Sequence, residues 1–433
     1  MEVTLGFVFD ERLKQGYMQG IRYLLIGIML VLSGTWVKAE DNTRVIIGAE
    51  RLFSAEYFPL IEGKRIGLVT NHTGMLPDGS HLVDVLFEHE KVELTALFGP
   101  EHGIRGDADT HVADGKDLKT GLPVISLYGK VRKPTAEMLQ DIDVLIFDIQ
   151  DIGARFYTYI ATLRHLLEAA AEQGIPYLVL DRPNAIGGEY VDGPVGDHAF
   201  EPVIGVDQIP VVHGMTVGEL AYMFNEERGK QQMPKAELTV VPMKNYSRDM
   251  WYDETGLPWI KPSPNMLSLT TAALYPMTCL LEGTNVSEGR GTLRPFEFIV
   301  APWIDGEALS AQLNSYGLVG LEAKTGELVP GEMVDGIKIY PPKYLGETCY
   351  GAELQVSDRI NFQSAKAAVY MLHALYTLYP EELEWREGRM DGLWKTKLIR
   401  EKILAGMAPK EIITAWEEEL AYFRQVREKY LMY

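Results

Sequence analysis

Residues 144–181 read VLIFDIQDIGARFYTYIATLRHLLEAAAEQGIPYLVLD. The stretch opens on an unbroken apolar run, Val144-Leu145-Ile146-Phe147, that ends at Asp148, and closes on a second, Tyr177-Leu178-Val179-Leu180, that ends at Asp181. Between them residues 157–173 carry apolar side chains at helical spacing, and Gly174 stands just past their end as a helix stop. Apolar runs without polar alternation belong to strands buried on both faces. Strand, helix and strand of this kind imply a parallel sheet covered on both sides.

The same alternation extends toward the N-terminus. Ile66-Gly67-Leu68-Val69 ends at Thr70-Asn71-His72-Thr73-Gly74, residues 82–90 have helical spacing, and Leu94-Thr95-Ala96-Leu97-Phe98 ends at Gly99-Pro100-Glu101-His102-Gly103. Val124–Tyr128 reads as a further strand and 135–141 as a short helix. The fold class is therefore α/β, with a Rossmann-like, doubly wound N-terminal domain. Toward the C-terminus, 182–215 is rich in Gly, Pro and Asp and reads as a long loop, and 216–228 is helical. Beyond about residue 237 short runs at 238–243, 296–301, 337–341 and 353–356 precede helices at 364–379, 394–404 and 409–428. That pattern predicts a smaller α+β C-terminal domain. The expected division is 1–39, 40–215 and 216–433.

Residues 1–39 read as a secretory signal. IRYLLIGIMLVL at 21–32 is too short to span a bilayer well, has Arg22 at its start and leads to Val37-Lys38-Ala39, a small-residue cleavage site. Met18 makes a better start than Met1. The expected product begins near Glu40 and is secreted or periplasmic, with no membrane in the mature form. The whole chain of 433 residues has 41 Lys and Arg against 61 Asp and Glu, a net charge of −20. So acidic a surface excludes general affinity for nucleic acid or anionic lipid. Two cysteines, Cys279 and Cys349, cannot form a disulfide framework and read as buried thiols.

In open α/β sheets ligands bind at the carboxyl ends of the strands. Here those ends carry reactive side chains: Asn71 and His72; Glu101 and His102; Asp148, Gln150, Asp151, Arg155 and Tyr157; Asp181, Arg182 and Asn184. Asp148 and Asp181 also suit helix capping, and Asn71 a left-handed turn. Glu101 differs, because it follows Gly99-Pro100 in a rigid turn that begins no evident helix. A carboxyl group buried there suits a general acid. Farther along, Lys261-Pro262-Ser263-Pro264-Asn265 is a proline-stiffened loop. Residues 282–292, EGTNVSEGRGT, form a glycine-rich one in which Arg290 is placed to meet an anion.

Several chemistries lack their motifs. No G-x-G-x-x-G follows the first strand, so no nicotinamide cofactor is expected, and G-x-x-x-x-G-K-[ST], H-E-x-x-H and G-x-S-x-G are absent too. His72, His102, His111 and His213 show no helical ligand spacing, and no metal is expected.

Seven segments in order, from Asn71-His72-Thr73-Gly74 through Gly99–Gly103, Asp148–Tyr159, Asp181-Arg182-Pro183-Asn184, His213-Gly214-Met215-Thr216 and Pro262–Asn265 to Ser287–Thr292, resemble the bacterial exo-β-N-acetylmuramidases, a family long described as a domain of unknown function. The resemblance spans about residues 45–433. It implies a peptidoglycan-recycling glycoside hydrolase that removes terminal β-1,4-linked N-acetylmuramic acid from the non-reducing end of peptidoglycan fragments. The smaller domain would close the active-site cleft against the Rossmann-like one, and no cofactor is used. The family's central glutamate falls on Glu101. Glycoside hydrolysis also asks for a second group at the oxocarbenium-like carbon, for which Asp151, Glu288 and the substrate's own 2-acetamido oxygen stay open. The lactyl carboxylate of muramic acid calls for an arginine, Arg155 or Arg290. Asn71, His72, His102, Asp148, Tyr157, Asp181, His213 and Asn265 are the remaining expected substrate contacts. Two other readings are a metal-dependent hydrolase using the histidines and a non-catalytic cell-wall sugar-binding protein.

Overall fold

Seven strands form the main sheet of the computed structural model, which describes residues 44–106, 114–129, 131–197, 200 and 208–433. The expected leader at 1–39 and His111 lie outside the described residues. In chain order the strands are β1 (Arg65–Thr70), β2 (Glu93–Gly99), β3 (Gly115–Lys116), β4 (Pro123–Ser126), β5 (Val144–Asp148), β6 (Tyr177–Leu180) and β7 (Leu238–Val241). Their order across the sheet is β3-β4-β2-β1-β5-β6-β7. All neighbours pair in parallel except the edge strand β3, which is antiparallel to β4.

The apolar run of β5 is buried throughout because both of its faces are covered. Val144 and Ile146 join Ile66, Leu68, Leu82 and Leu86 on one side, where the Leu82–Glu88 helix packs. Leu145 and Phe147 join Val69, Phe98, Ile160, Leu163 and Leu167 on the other, under the Tyr159–Gln173 helix. Each such buried side chain contributes roughly 1.5–3 kcal/mol. That helix stops where the sequence says it should: Gly174 is left-handed at φ 65°, and its N–H bonds the Ala170 carbonyl.

From β1 the chain moves outward through β2 to β4, then returns to β5 on the other side of β1 and continues through β6 to β7. The direction reverses between β1 and β5. The crevice at that switch point is bounded by the carboxyl ends of β1, β2 and β5, which lead into Asn71, Glu101 and Asp151.

The sheet does not end at residue 215. The Val217–Lys230 helix leads into β7, which pairs in parallel with β6, so the 238–241 run extends the Rossmann-like sheet instead of opening a second one. The second sheet has three strands, β8 (Phe298–Ala301), β9 (Leu321–Leu328) and β12 (Cys349–Val356), while β10 (Met333–Val334) and β11 (Ile337–Lys338) form a separate two-stranded hairpin. Strand β12 lies between β8 and β9, antiparallel to both. Helices Ser364–Leu378, Glu387–Trp394, Leu398–Leu404 and Glu417–Arg427 follow. Leu372, Trp394 and Trp416 share one apolar cluster with Phe147, so the core is continuous between the two sheets. Cys279 and Cys349 are both buried and free. No helix among the described residues is long and apolar enough to cross a membrane.

Candidate active site

Strand β2 delivers Glu101 two residues past its end. The turn is closed by a bond from the Gly103 N–H to the Pro100 carbonyl (3.1 Å), and the strand end is held by the Leu127 N–H on the Gly99 carbonyl (2.8 Å). His102 and Gly103 both have φ of 71°. For histidine that left-handed conformation costs on the order of 1 kcal/mol, and strain of this kind gathers at functional sites. The Thr158 hydroxyl donates to Glu101 Oε2 at 2.9 Å. Tyr128 also hydrogen-bonds Glu101, and burial followed by the charge of Glu101 pushes its phenol well above the usual range.

A cavity of about 80 Å³ is lined by Glu101, His102, Tyr157, Thr158, Tyr159, Ser263, Asn265, Tyr275, Arg290 and Phe296. Five of these, Glu101, His102, Tyr157, Asn265 and Arg290, are residues expected from the sequence. The others were not singled out. Thr158, Tyr159 and Ser263 lie inside quoted motifs but look like ordinary helix-start and turn residues. Tyr275 sits in an apolar helix and Phe296 beside a strand, where both read as core. The Phe296 backbone gives a signal only in three dimensions, a φ of 66°. A larger cavity of about 890 Å³ lies between the Val217–Lys230 helix and the C-terminal helices, against Phe224, Trp416 and Phe423. None of the expected site residues lines it, whereas five of them line the smaller one.

The proline loop forms the opposite wall. The Tyr159 hydroxyl donates to the Pro262 carbonyl at 2.5 Å, and His72 Nε2 bonds the Lys261 carbonyl at 2.7 Å. A carbonyl only accepts, so His72 carries its proton on Nε2, and burial lowers its pKa. His72 thus fixes the loop that presents Ser263 and Asn265. Arg290 stacks over the Phe296 ring at 4.8 Å and is held by Glu282 (2.8 Å) and Glu288 (3.1 Å). Burial opposes the charge of Glu282, but Arg290 and Arg389 outweigh it and bring its carboxyl to about 2.

Other expected contacts are engaged elsewhere. Arg155 is fully buried, and its guanidinium donates to the carbonyls of Pro194 (2.6 Å), Ile209 (2.8 Å), Leu393 (2.9 Å) and Trp394 (2.9 Å). It ties the loop after β5 to the C-terminal helices and has no reach toward a ligand. Asp148 forms a buried, two-pronged pair with Arg182 at 2.6 and 2.9 Å. Asp181 accepts from the Gly218 N–H, the Thr216 hydroxyl and the Tyr433 hydroxyl, at 2.8, 2.8 and 2.7 Å, so it anchors a helix start and the chain end. Glu288 bridges Arg290 and Lys343, each at 3.1 Å, and does not line the cavity.

Asp151 and His213 face each other behind Tyr157 with Oδ2 and Nε2 3.8 Å apart, beyond hydrogen-bond distance. Burial pushes Asp151 up to about 7. Burial, with Arg427 and Arg155, pulls His213 down to about 3, and its Nδ1 accepts from the Met215 N–H. The histidine is therefore neutral at neutral pH, and the contact is no ion pair. Gln150 Oε1, Asp151 Oδ1 and His213 Nε2 are buried without hydrogen-bond partners. Each such atom costs about 1–3 kcal/mol, and their concentration in the loops at the strand ends suits a site that meets a polar ligand. Among the described residues no three His, Cys, Asp or Glu side chains gather as metal ligands would.

Comparison with known proteins gives the family and the fold. Residues 66–270 match the family described as Exo-beta-N-acetylmuramidase NamZ, N-terminal, and residues 273–433 match its C-terminal counterpart. The chain is 45% identical over 381 residues to the Peptidoglycan beta-N-acetylmuramidase NamZ of Bacillus subtilis (strain 168), covering 87% of this chain and 89% of that protein. Two DUF1343 family proteins from Bacteroides fragilis NCTC 9343, each 36% identical, share the fold. BF0371 has a TM-score of 0.82 over 90% of this chain and 100% of its own, and BF0379 a TM-score of 0.73 over 90% and 99%.

Proposed function

The chain belongs to the Exo-beta-N-acetylmuramidase NamZ family, and from that premise we propose that it is an exo-acting glycoside hydrolase that removes terminal β-1,4-linked N-acetylmuramic acid from the non-reducing end of peptidoglycan fragments. Glu101 is its general acid. The observation that carries this role is the Glu101 carboxyl group on the wall of the cavity at the switch point of the sheet, held by the Thr158 hydroxyl at 2.9 Å. Protonation of the leaving oxygen by Glu101 lets the C1–O bond break with its electron pair on that oxygen. Water then completes C1 and returns a proton to Glu101. Arg290, the arginine that lines the cavity, reads the lactyl carboxylate. His102, Tyr157 and Asn265 contact the sugar.

The test is turnover of a chromogenic β-N-acetylmuramide beside the matching β-N-acetylglucosaminide. Release of chromophore from the muramide alone supports the assignment, and equal release, or none from either, removes it.

The protein acts after export. The apolar run at 21–32 and Val37-Lys38-Ala39 support this, and N-terminal sequencing of natively produced protein should find a start near Glu40. An intact Met1 or Met18 terminus in a cytosolic fraction would reject export.

A further inference from the structure

Thr158 occupies the position before the Tyr159–Gln173 helix, where threonine ordinarily turns its hydroxyl back onto an amide of the first helical turn. Here it does not. Its backbone is helical (φ −69°, ψ −17°), and its side chain makes no capping bond. The first-turn amides of Ala161 and Thr162 are met by the Thr158 main-chain carbonyl, at 3.1 and 3.2 Å. The hydroxyl points the other way and donates to Glu101 Oε2, 57 residues earlier in the chain. Tyr128 brings another hydroxyl to the same carboxyl group from the loop after β4. The N-terminal, positive end of a helix of 15 residues lies directly behind Thr158.

We propose that Thr158, with Tyr128, is a positioning residue for Glu101, one that holds its carboxyl group and stabilises the negative charge appearing there as the proton leaves. This rests on the reading of Glu101 as the acid. In the resting state these donors face an acid that must keep its proton. As the C1–O bond breaks, the electron pair passes to the leaving oxygen, that oxygen takes the proton, and Glu101 becomes a carboxylate. Hydroxyl donors are then already aimed at the new charge, so their bonds are stronger in the transition state than in the ground state. Only such differential interactions accelerate the chemical step. A donor to the ionised form also sets the pH at which the acid loses its proton.

Thr158→Val keeps the shape and removes the donor, and it sacrifices no helix cap, because none is made. Thr158→Ser keeps the donor. With a muramic-acid-terminated disaccharide, whose leaving oxygen needs full protonation, kcat of Thr158→Val should fall about 10- to 100-fold. With the nitrophenyl muramide, whose leaving group takes up little proton, the loss should be severalfold smaller. The alkaline limb of the kcat profile should move to higher pH, and Thr158→Ser should restore both. Equal losses on the two substrates with an unmoved alkaline limb would mean a structural role only and overturn the proposal, as would wild-type rates in Thr158→Val. Glu101→Gln is measured alongside. If it is silenced while Thr158→Val behaves as wild type, the positioning role alone falls. If Glu101→Gln hydrolyses the disaccharide normally, the acid assignment falls first.

Discussion

The Arg155 guanidinium donates to the main-chain carbonyl of Trp394 at 2.9 Å, across 239 residues of sequence. Three more carbonyls, those of Pro194, Ile209 and Leu393, complete its surroundings. A buried arginine so placed joins the loop after β5 to the helix Glu387–Trp394, and removing it strands acceptors that water cannot reach.

Arg155→Met should therefore destabilise the protein by several kcal/mol, because each buried acceptor left without a donor costs about 1–3 kcal/mol. It should leave the preference for muramide over glucosaminide unchanged in the protein that folds. Thermal and urea unfolding measure the first, and the ratio of kcat/KM values the second. A variant with wild-type stability and a lost preference would return Arg155 to the ligand.

Arg290 is the arginine for which loss of preference is expected. It shares Glu282 with Arg389 and Glu288 with Lys343, so three cations meet two carboxylates beside the cavity and one positive charge is in excess. The proposed substrate's lactyl carboxylate would balance it. A charge-assisted bond contributes about 1.5–3 kcal/mol, so Arg290→Ala should lower kcat/KM for the muramide roughly 10- to 150-fold. The glucosaminide rate should stay nearly flat. An unchanged ratio between the two sugars would mean that another group reads the lactyl carboxylate.

These two arginines mark what could be read from the chain alone. Each sits in a quoted motif, and nothing local separates an arginine that holds carbonyls from one that meets a ligand. The carbonyls that claim Arg155 come from residues 194–394. Asp148 and Asp181 are hidden in the same way, since Arg182 and Tyr433 claim them through distant parts of the fold. The place of Glu101 on the cavity wall was legible because its setting is local, a Gly-Pro turn at a strand end. Strands β1, β5 and β6 announce themselves by unbroken apolar runs, and β7 was legible as a strand but not as a partner of β6, because pairing is non-local. Strand β9, LEAKTGEL, escaped notice because its exposed face is polar and it alternates only loosely.

Glu101→Gln keeps the shape of the side chain and removes the transferable proton. General acid catalysis contributes about 10²- to 10⁴-fold, so kcat on the disaccharide should fall by that order with little change in unfolding temperature. The nitrophenyl muramide should suffer less, and the variant should lose the alkaline limb of its pH–rate profile. An equally large loss on both substrates would indicate a nucleophilic role. A retained limb would make another residue the acid.

Asp151 supplies the prediction about pH and stability. Its Oδ2 accepts the Gly153 N–H at 2.7 Å, its Oδ1 has no partner, and the facing His213 is neutral and 3.8 Å away. Burial outweighs the backbone N–H groups of Gly153 and Ile152 that favour the carboxylate, and it pushes the group up to about 7. In the unfolded chain the same side chain loses its proton near 3.9. Between about pH 4 and 7 the folded protein therefore holds a proton that the unfolded chain has released. The associated stability is complete below about pH 4 and is lost as pH rises through 7, by at most on the order of 4 kcal/mol. Asp151→Asn cannot ionise, so its stability should lack this component. In urea titrations, wild type should lose stability relative to the variant steadily from pH 4.5 to pH 8. Parallel curves for the two proteins over that range would mean that Asp151 is already ionised in the fold, and a carboxylate at that position would then be available as a base behind Tyr157.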